Sequence, residues 1–213
     1  MAKVKICGIT NSEDALFSAG SGCDALGFVF YKKSPRYIPP EKAAQIIKGL
    51  PAELIKIGVF VNSREKTIRR IAQLCGLDTL QFHGSESPEF CRRFKDKKII
   101  KAFRVKDRSS LKSILKYKVF AFLFDTFSRS RIGGTGKKFN WELVRHIDGI
   151  TRPIFLSGGL NEKNVRGAIK AVHPDWVDAS SSLEVSPGRK DQNKVKKFIV
   201  AAKKGKSKRT VSL

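Results

Sequence analysis

Residues 153–181 read PIFLSGGLNEKNVRGAIKAVHPDWVDASS. An apolar run, Pro153–Ser157, ends in Gly158-Gly159. Asn161 is placed to cap a helix over Glu162–Lys170, and a second apolar run, Trp176–Ser180, follows. Strand, helix and strand in this order form the βαβ unit of a parallel sheet. Upstream the same rhythm gives six more strands: Val4–Cys7, Ala25–Phe30, Ile55–Val61, Thr79–His83, Ile99–Val105 and Val119–Asp125. The runs are continuous rather than alternating, as expected for strands covered on both faces.

Segments with helical spacing lie between them. Ser12–Ala19 follows Thr10 with Glu13 three residues later, a capping-box pattern with Thr10 as the cap. Pro40 introduces Glu41–Lys48, and Arg64–Cys75 places Ile68, Ile71, Ala72 and Cys75 on one face. Pro88–Phe94, Ser109–Lys116, Asn140–His146 and Asp191–Lys203 are weaker candidates. Eight such units in 213 residues predict an α/β chain folded as a single-domain (β/α)8 TIM barrel. The barrel is expected over 1–202 and a disordered basic tail over 203–213. An open doubly wound sheet is the structural alternative, but its GxGxxG fingerprint is missing after the first strand.

Composition narrows the function classes. Apolar residues make up 41%, enough for a core. No run approaches the ~18 apolar residues of a membrane span. The opening MAKVKICGIT is too short and polar for a secretion signal, so a cytoplasmic protein is expected. Four scattered cysteines without a CxxC pair argue against a zinc site or a disulfide framework. The net charge of +24 is spread along the chain. Residues 189–213 hold ten Lys or Arg and one Asp, so +9 lies there and +15 elsewhere. With no aromatic-interleaved basic stripe, a solvated basic surface is the plainer reading, though the field suits a phosphate-bearing substrate.

Catalytic groups of such barrels sit where strands end. Cys7 ends the first run with Lys5 two residues back on the same face, so an ammonium below the thiol would lower its pKa. The plain alternative is a small buried hydrophobe. Asp125 ends VFAFLFD; partial desolvation there suits a general acid, and the alternative is a loop cap or a partner for Arg129 or Arg131. Ser157-Gly158-Gly159 and Asp178-Ala179-Ser180-Ser181 follow the last two strands, where this fold repeatedly builds a phosphate site; each alone is also an ordinary turn. Gly133-Gly134-Thr135-Gly136 follows the sixth run as a phosphate-facing or connecting loop. Arg36, in SPRYIPP, offers a fork for a carboxylate or is a surface charge. His83 ends the fourth run in a structural or substrate-facing role, with no ligand spacing for a metal.

Taken together, KICGIT (5–10), ALGFVFYKKSPRYI (25–38), GVFVN (58–62), LQFHG (80–84), LFDT (123–126), GGTG (133–136), LSGGLNEKNV (156–165) and the run Asp178–Asp191 resemble the phosphoribosylanthranilate isomerase family over about residues 3–200. The resemblance implies an Amadori rearrangement of N-(5-phosphoribosyl)anthranilate, in tryptophan biosynthesis, without metal or cofactor. It implies Cys7 as base, Asp125 as acid and Arg36 at the anthranilate carboxylate. It places Gly134, Gly136, Gly158, Gly159, Asp178, Ser180 and Ser181 around the rest of the substrate, chiefly its phosphate. The expected partner is a small phosphorylated substrate, with no specific nucleic acid and no membrane, and the chain is expected to be a monomer or homodimer. One departure is Ser182, where the family usually has glycine; a side chain there crowds the phosphate end of the site. Another sugar-phosphate isomerase or epimerase on this fold, and a nucleic-acid binder favoured by the charge alone, are the competing readings.

Overall fold

The computed structural model describes residues 1–105, 113–126, 144 and 150–205. Eight parallel strands close on themselves: β1 (Lys3–Cys7), β2 (Ala25–Val29), β3 (Ile55–Phe60), β4 (Thr79–Phe82), β5 (Lys98–Val105), β6 (Ala121–Thr126), β7 (Ile154–Leu156) and β8 (Trp176–Ala179). Each pairs with the next, and β8 returns to β1 with Lys5 beside Asp178. Closure leaves no edge strand. It also covers both faces of every strand, which is why β2, β4, β7 and β8 are buried at each position.

Alternation sorts the side chains into two layers. Ala25, Ile57, Ile100, Ala102, Ala121, Leu123, Phe155 and Trp176 pack together inside the barrel. Their neighbours in sequence, among them Leu26, Phe103, Phe122, Phe124, Leu156 and Val177, pack outward against the helices. These are α1 (Ser12–Gly20), α2 (Pro40–Lys48), α3 (Glu65–Leu74), α4 (Pro88–Arg92), α5 (Val165–Val172) and α6 (Gln192–Lys203). The strand parity that sends Leu123 inward also sends Asp125 inward. Lys5 and Cys7 are related in the same way.

Several local expectations need correcting. Asn11, not Thr10, caps α1, accepting from the Asp14 amide at 2.8 Å. Thr10 instead donates its hydroxyl to the Gly188 carbonyl at 2.5 Å. α5 begins at Val165 because Asn161 caps only the preceding turn, accepting from the Lys163 and Asn164 amides. Of Ser109–Lys116, Ile114–Lys116 is a short 3-10 turn and residues 109–112 lie outside the described residues. Of Asn140–His146, Val144 alone is described, helical and buried. Asp191 caps α6 as its position suggests. That helix runs to Lys203, whose ammonium pairs with Asp24 at 2.6 Å, so the expected tail boundary falls inside a helix end. Residues 206–213 lie outside the described residues. Among the described residues no helix is long and apolar enough to cross a membrane.

The loop after β4 is pinned from below. Lys101 points outward from β5 and donates to the carbonyls of Phe82 and Gly84 and to Glu86 Oε2, at 3.3, 2.7 and 2.9 Å. Glu86 Oε1 in turn accepts from the Asn62 amide at 2.8 Å. Both partners of this ion pair are 2% exposed, so losing one strands a buried charge. His83 and Gly84 are thereby fixed at the mouth of the barrel.

Candidate active site

Cys7 ends β1 on the inner face, in a small cluster with Val29 and Val59. Its register partner is Gly27 on β2. A Cβ at Gly27 would lie 2.7 Å from Cys7 Sγ, so the missing side chain makes the seat for the thiol. Gly8, at φ +80°, turns the chain out of the strand. Beneath the thiol, Lys5 is fully buried and its ammonium is bound to Asp178 Oδ1 at 2.9 Å.

This pairing changes the expected electrostatics. Burial pushes the Cys7 thiol up, and Lys5 and Lys190 pull it back only in part, with Asp178 opposing them. The net direction is above the ordinary thiol value, contrary to the expectation from Lys5 alone. For Lys5, burial lowers the pKa but Asp178 and Cys7 outweigh it, so the ammonium stays charged. Burial raises the other thiols as well, Cys23 to about 12, and Cys75 and Cys91 to about 11 each. A consequence can be measured. Alkylation by iodoacetamide consumes the thiolate, so a raised pKa moves the rate–pH curve to higher pH. The Cys7 adduct, followed by mass spectrometry against a Cys7→Ala control, should form with a midpoint above that of a free cysteine. A midpoint below it would show that Lys5 dominates.

Asp125 lies near the end of β6 on the inner face, level with Arg104 of β5, and is 4% exposed. His83 Nε2 approaches its Oδ2 to 3.3 Å, short of an aligned hydrogen bond. Gln81 Nε2 lies 2.9 Å from His83 Nδ1. An amide N–H there makes Nδ1 an acceptor, which leaves the ring hydrogen of neutral His83 on Nε2, facing Asp125. Arg129 and Arg131, the alternative partners for Asp125, lie outside the described residues, as do Gly134 and Gly136.

The late loops take the expected places. Gly158 and Gly159 adopt φ +92° and +67°, conformations in which a side chain is strained. Ser181 opens a 3-10 turn, Ser181–Leu183, after β8. The Ser180 hydroxyl is buried with no hydrogen-bond partner among the described residues. Ser182, where the family usually has glycine, donates its hydroxyl to the Leu160 carbonyl and ties the two loops together. Asp178, also expected at the substrate, pairs with Lys5.

Arg36 reaches the same end, its methylenes passing over Gly8, where a Cβ would lie 2.7 Å from Arg36 Cδ. Its fork is occupied. Nε donates to Glu184 Oε1 at 2.8 Å and Nη2 to Oε2 at 2.7 Å. Glu184 begins a hairpin, β9 (Glu184–Ser186) with β10 (Arg189–Lys190), that the sequence did not reveal. Lys190 folds back from it to Glu184 Oε1 at 2.9 Å and to the Cys7 carbonyl at 2.6 Å. A cavity of about 890 Å³, lined by Ile55, Phe155 and Trp176 among others, opens at the opposite end where the strands begin. The ionisable groups converge at the other end, around Cys7.

A closed parallel barrel with a thiol, a carboxyl and glycine-rich late loops gathered at its C-terminal mouth defines a barrel enzyme of the proton-transfer class. The comparisons name it more closely. The pattern of the family described as N-(5'phosphoribosyl)anthranilate (PRA) isomerase matches residues 4–201. The N-(5'-phosphoribosyl)anthranilate isomerase of Pelobacter propionicus is 50% identical over 210 residues, 99% of this chain and 100% of that protein. The crystal structure of the Thermotoga maritima phosphoribosyl anthranilate isomerase superposes with a TM-score of 0.91 at 46% identity, over 95% of this chain and 99% of that one. A phosphoribosyl anthranilate isomerase solved with reduced 1-(o-carboxyphenylamino)-1-deoxyribulose 5-phosphate gives a TM-score of 0.87 at 45% identity, with the same coverage. The chain belongs to the N-(5'-phosphoribosyl)anthranilate isomerase family.

Proposed function

We propose that the protein isomerises N-(5'-phosphoribosyl)anthranilate to 1-(o-carboxyphenylamino)-1-deoxyribulose 5-phosphate, with Asp125 as general acid and Cys7 as general base. The observation that carries this reading is that both groups close an inward-facing row at the same end of one barrel, beside Arg36 and the two late loops.

The substrate has two anionic ends and a reacting ribose between them. Gly158, Gly159, Ser180 and Ser181, with Gly134 and Gly136, take the phosphate; Arg36 takes the anthranilate carboxylate. Binding at the ends orients the middle. Asp125 gives its proton to the ring oxygen, the C1–O bond breaks, and the nitrogen lone pair forms a C1=N iminium. That cation acidifies C2. Cys7 thiolate removes the C2 proton, and the bond's electrons form the C1=C2 enolamine as the nitrogen regains its pair. Protonation at C1 and loss of the C2 hydroxyl proton then give the ketone. The iminium also answers the high thiol pKa: a cation on the bound sugar lies beside the sulfur when the thiolate is needed.

A small phosphorylated substrate suits an enzyme of the cytoplasm, acting as a monomer or homodimer. The deciding experiment is turnover by the purified protein, followed as loss of the fluorescence of phosphoribosylanthranilate. Sustained turnover is expected; its absence, with other sugar phosphates isomerised instead, would favour a different enzyme of this fold.

A further inference from the structure

We infer that Glu184, anchored by Lys190, is a positioning residue that holds Arg36 with one edge occupied and so leaves one edge of the guanidinium for the substrate carboxylate. This rests on the reading of Arg36 as the carboxylate clamp.

A guanidinium presents two edges suited to a carboxylate, one through Nε and an Nη and one through both Nη atoms. Glu184 takes the first, with contacts of 2.8 and 2.7 Å and a third from Nε to Oε2 at 3.2 Å. Its side chain is only 4% exposed, and Lys190 behind it 1%. Lys190 is in turn tied down by the carbonyls of Cys7, at 2.6 Å, and Ser180, at 3.3 Å. Its own amide donates to Asp14 Oδ2 at 2.8 Å. Removing Glu184 from Arg36 would leave a buried ammonium and a mostly buried guanidinium without their shared carboxylate. A ligand carboxylate on the surface of the site does not offset that loss. Glu184 therefore stays, and an incoming acid meets the remaining edge.

Two further observations fit a clamp that is fixed rather than free. The methylenes of Arg36 lie against Gly8, so the side chain has a floor as well as a tether. The one Glu184 carboxylate is also shared between Arg36 and Lys190, so it does not serve the guanidinium alone. Glu184 feels both partners: burial raises its pKa, and the Arg36 and Lys190 contacts outweigh that and hold it ionised.

The test separates the carboxylate from the rest of the ligand. Two inhibitors serve as probes: reduced 1-(o-carboxyphenylamino)-1-deoxyribulose 5-phosphate, and the same compound without the ring carboxyl. Dissociation constants are measured for wild type, Glu184→Gln, Glu184→Ala and Arg36→Ala. Charge-assisted hydrogen bonds of this kind make the carboxyl worth about tenfold or more in affinity. Arg36→Ala should erase that increment. Glu184→Ala should erase most of it while shifting the carboxyl-free probe by less than about threefold. Glu184→Gln keeps the volume and one acceptor, and should fall between Glu184→Ala and wild type. Equal loss on both probes would overturn the inference, because the residue would then be supporting the whole site. An unchanged or larger carboxyl increment in the Glu184 variants, with Arg36→Ala behaving as expected, would overturn it too. A silent Arg36→Ala would remove the clamp itself, and the inference with it.

Discussion

Asp125→Asn should lower kcat by about 10²–10⁴-fold, the range lost when a positioned general acid is removed. The change is nearly isosteric and leaves an oxygen for His83 to face, so the contact at 3.3 Å can persist. What disappears is the proton. An amide cannot deliver one to the ring oxygen as the C1–O bond breaks. His83 is not placed to substitute, since Gln81 engages its Nδ1 and its Nε2 is turned to residue 125. The phosphate and carboxylate ends are bound elsewhere, so KM should move by much less than kcat. Steady-state kinetics and thermal melts on the same sample check both halves. A kcat within tenfold of wild type would remove Asp125 from its role. A collapsed melting temperature would make the variant uninformative about chemistry, and Asp125→Ser would then be the next comparison, under the same criterion.

The contrast between what was readable and what was not follows sequence separation. A closed barrel buries each strand twice, so the strands appear as unbroken apolar runs, and a polar residue that ends one is conspicuous. Cys7 and Asp125 could be picked out for that reason, as could Gly158-Gly159, whose positive φ demands glycine. Boundaries slipped where two residues could do one task. Thr10 and Asn11 are both good caps, and the Asn11 oxygen is the one that reaches the Asp14 amide. The electrostatics were hidden because their partners are remote. Lys5 meets Asp178 across 173 positions and Arg36 meets Glu184 across 148. No local pattern announces that β8 will bring a carboxylate beside β1, or that a hairpin will return Lys190 under Cys7. The misread thiol pKa has burial as its main cause, with the remote Asp178 adding to it against Lys5.

Cys7→Ala should cost turnover on a similar scale, about 10²–10⁴-fold in kcat, with binding of the product analogue little changed. The seat of the sulfur argues for a clean deletion. Gly27 seats the sulfur without a side chain of its own, Gly8 makes the turn, and Lys190 holds the Cys7 carbonyl, which alanine retains. Lys5 keeps its pairing with Asp178, so no buried charge is orphaned. The variant therefore loses a base and a modest buried volume, and little else. Cys7→Ser distinguishes basicity from size: a hydroxyl fills most of the space but does not ionise near neutral pH, so the serine variant should be nearly as slow as the alanine one. If serine restored kcat to within tenfold of wild type, the sulfur would be serving as a shape or a hydrogen-bond partner. The C2 proton would then have to leave by another group. If alanine did so, no group at position 7 would be taking that proton. The same two variants carry a second readout: the Cys7 adduct with iodoacetamide should vanish in both, while any adducts at Cys23, Cys75 and Cys91, whose thiols burial raises to about 11 or 12, should be unchanged.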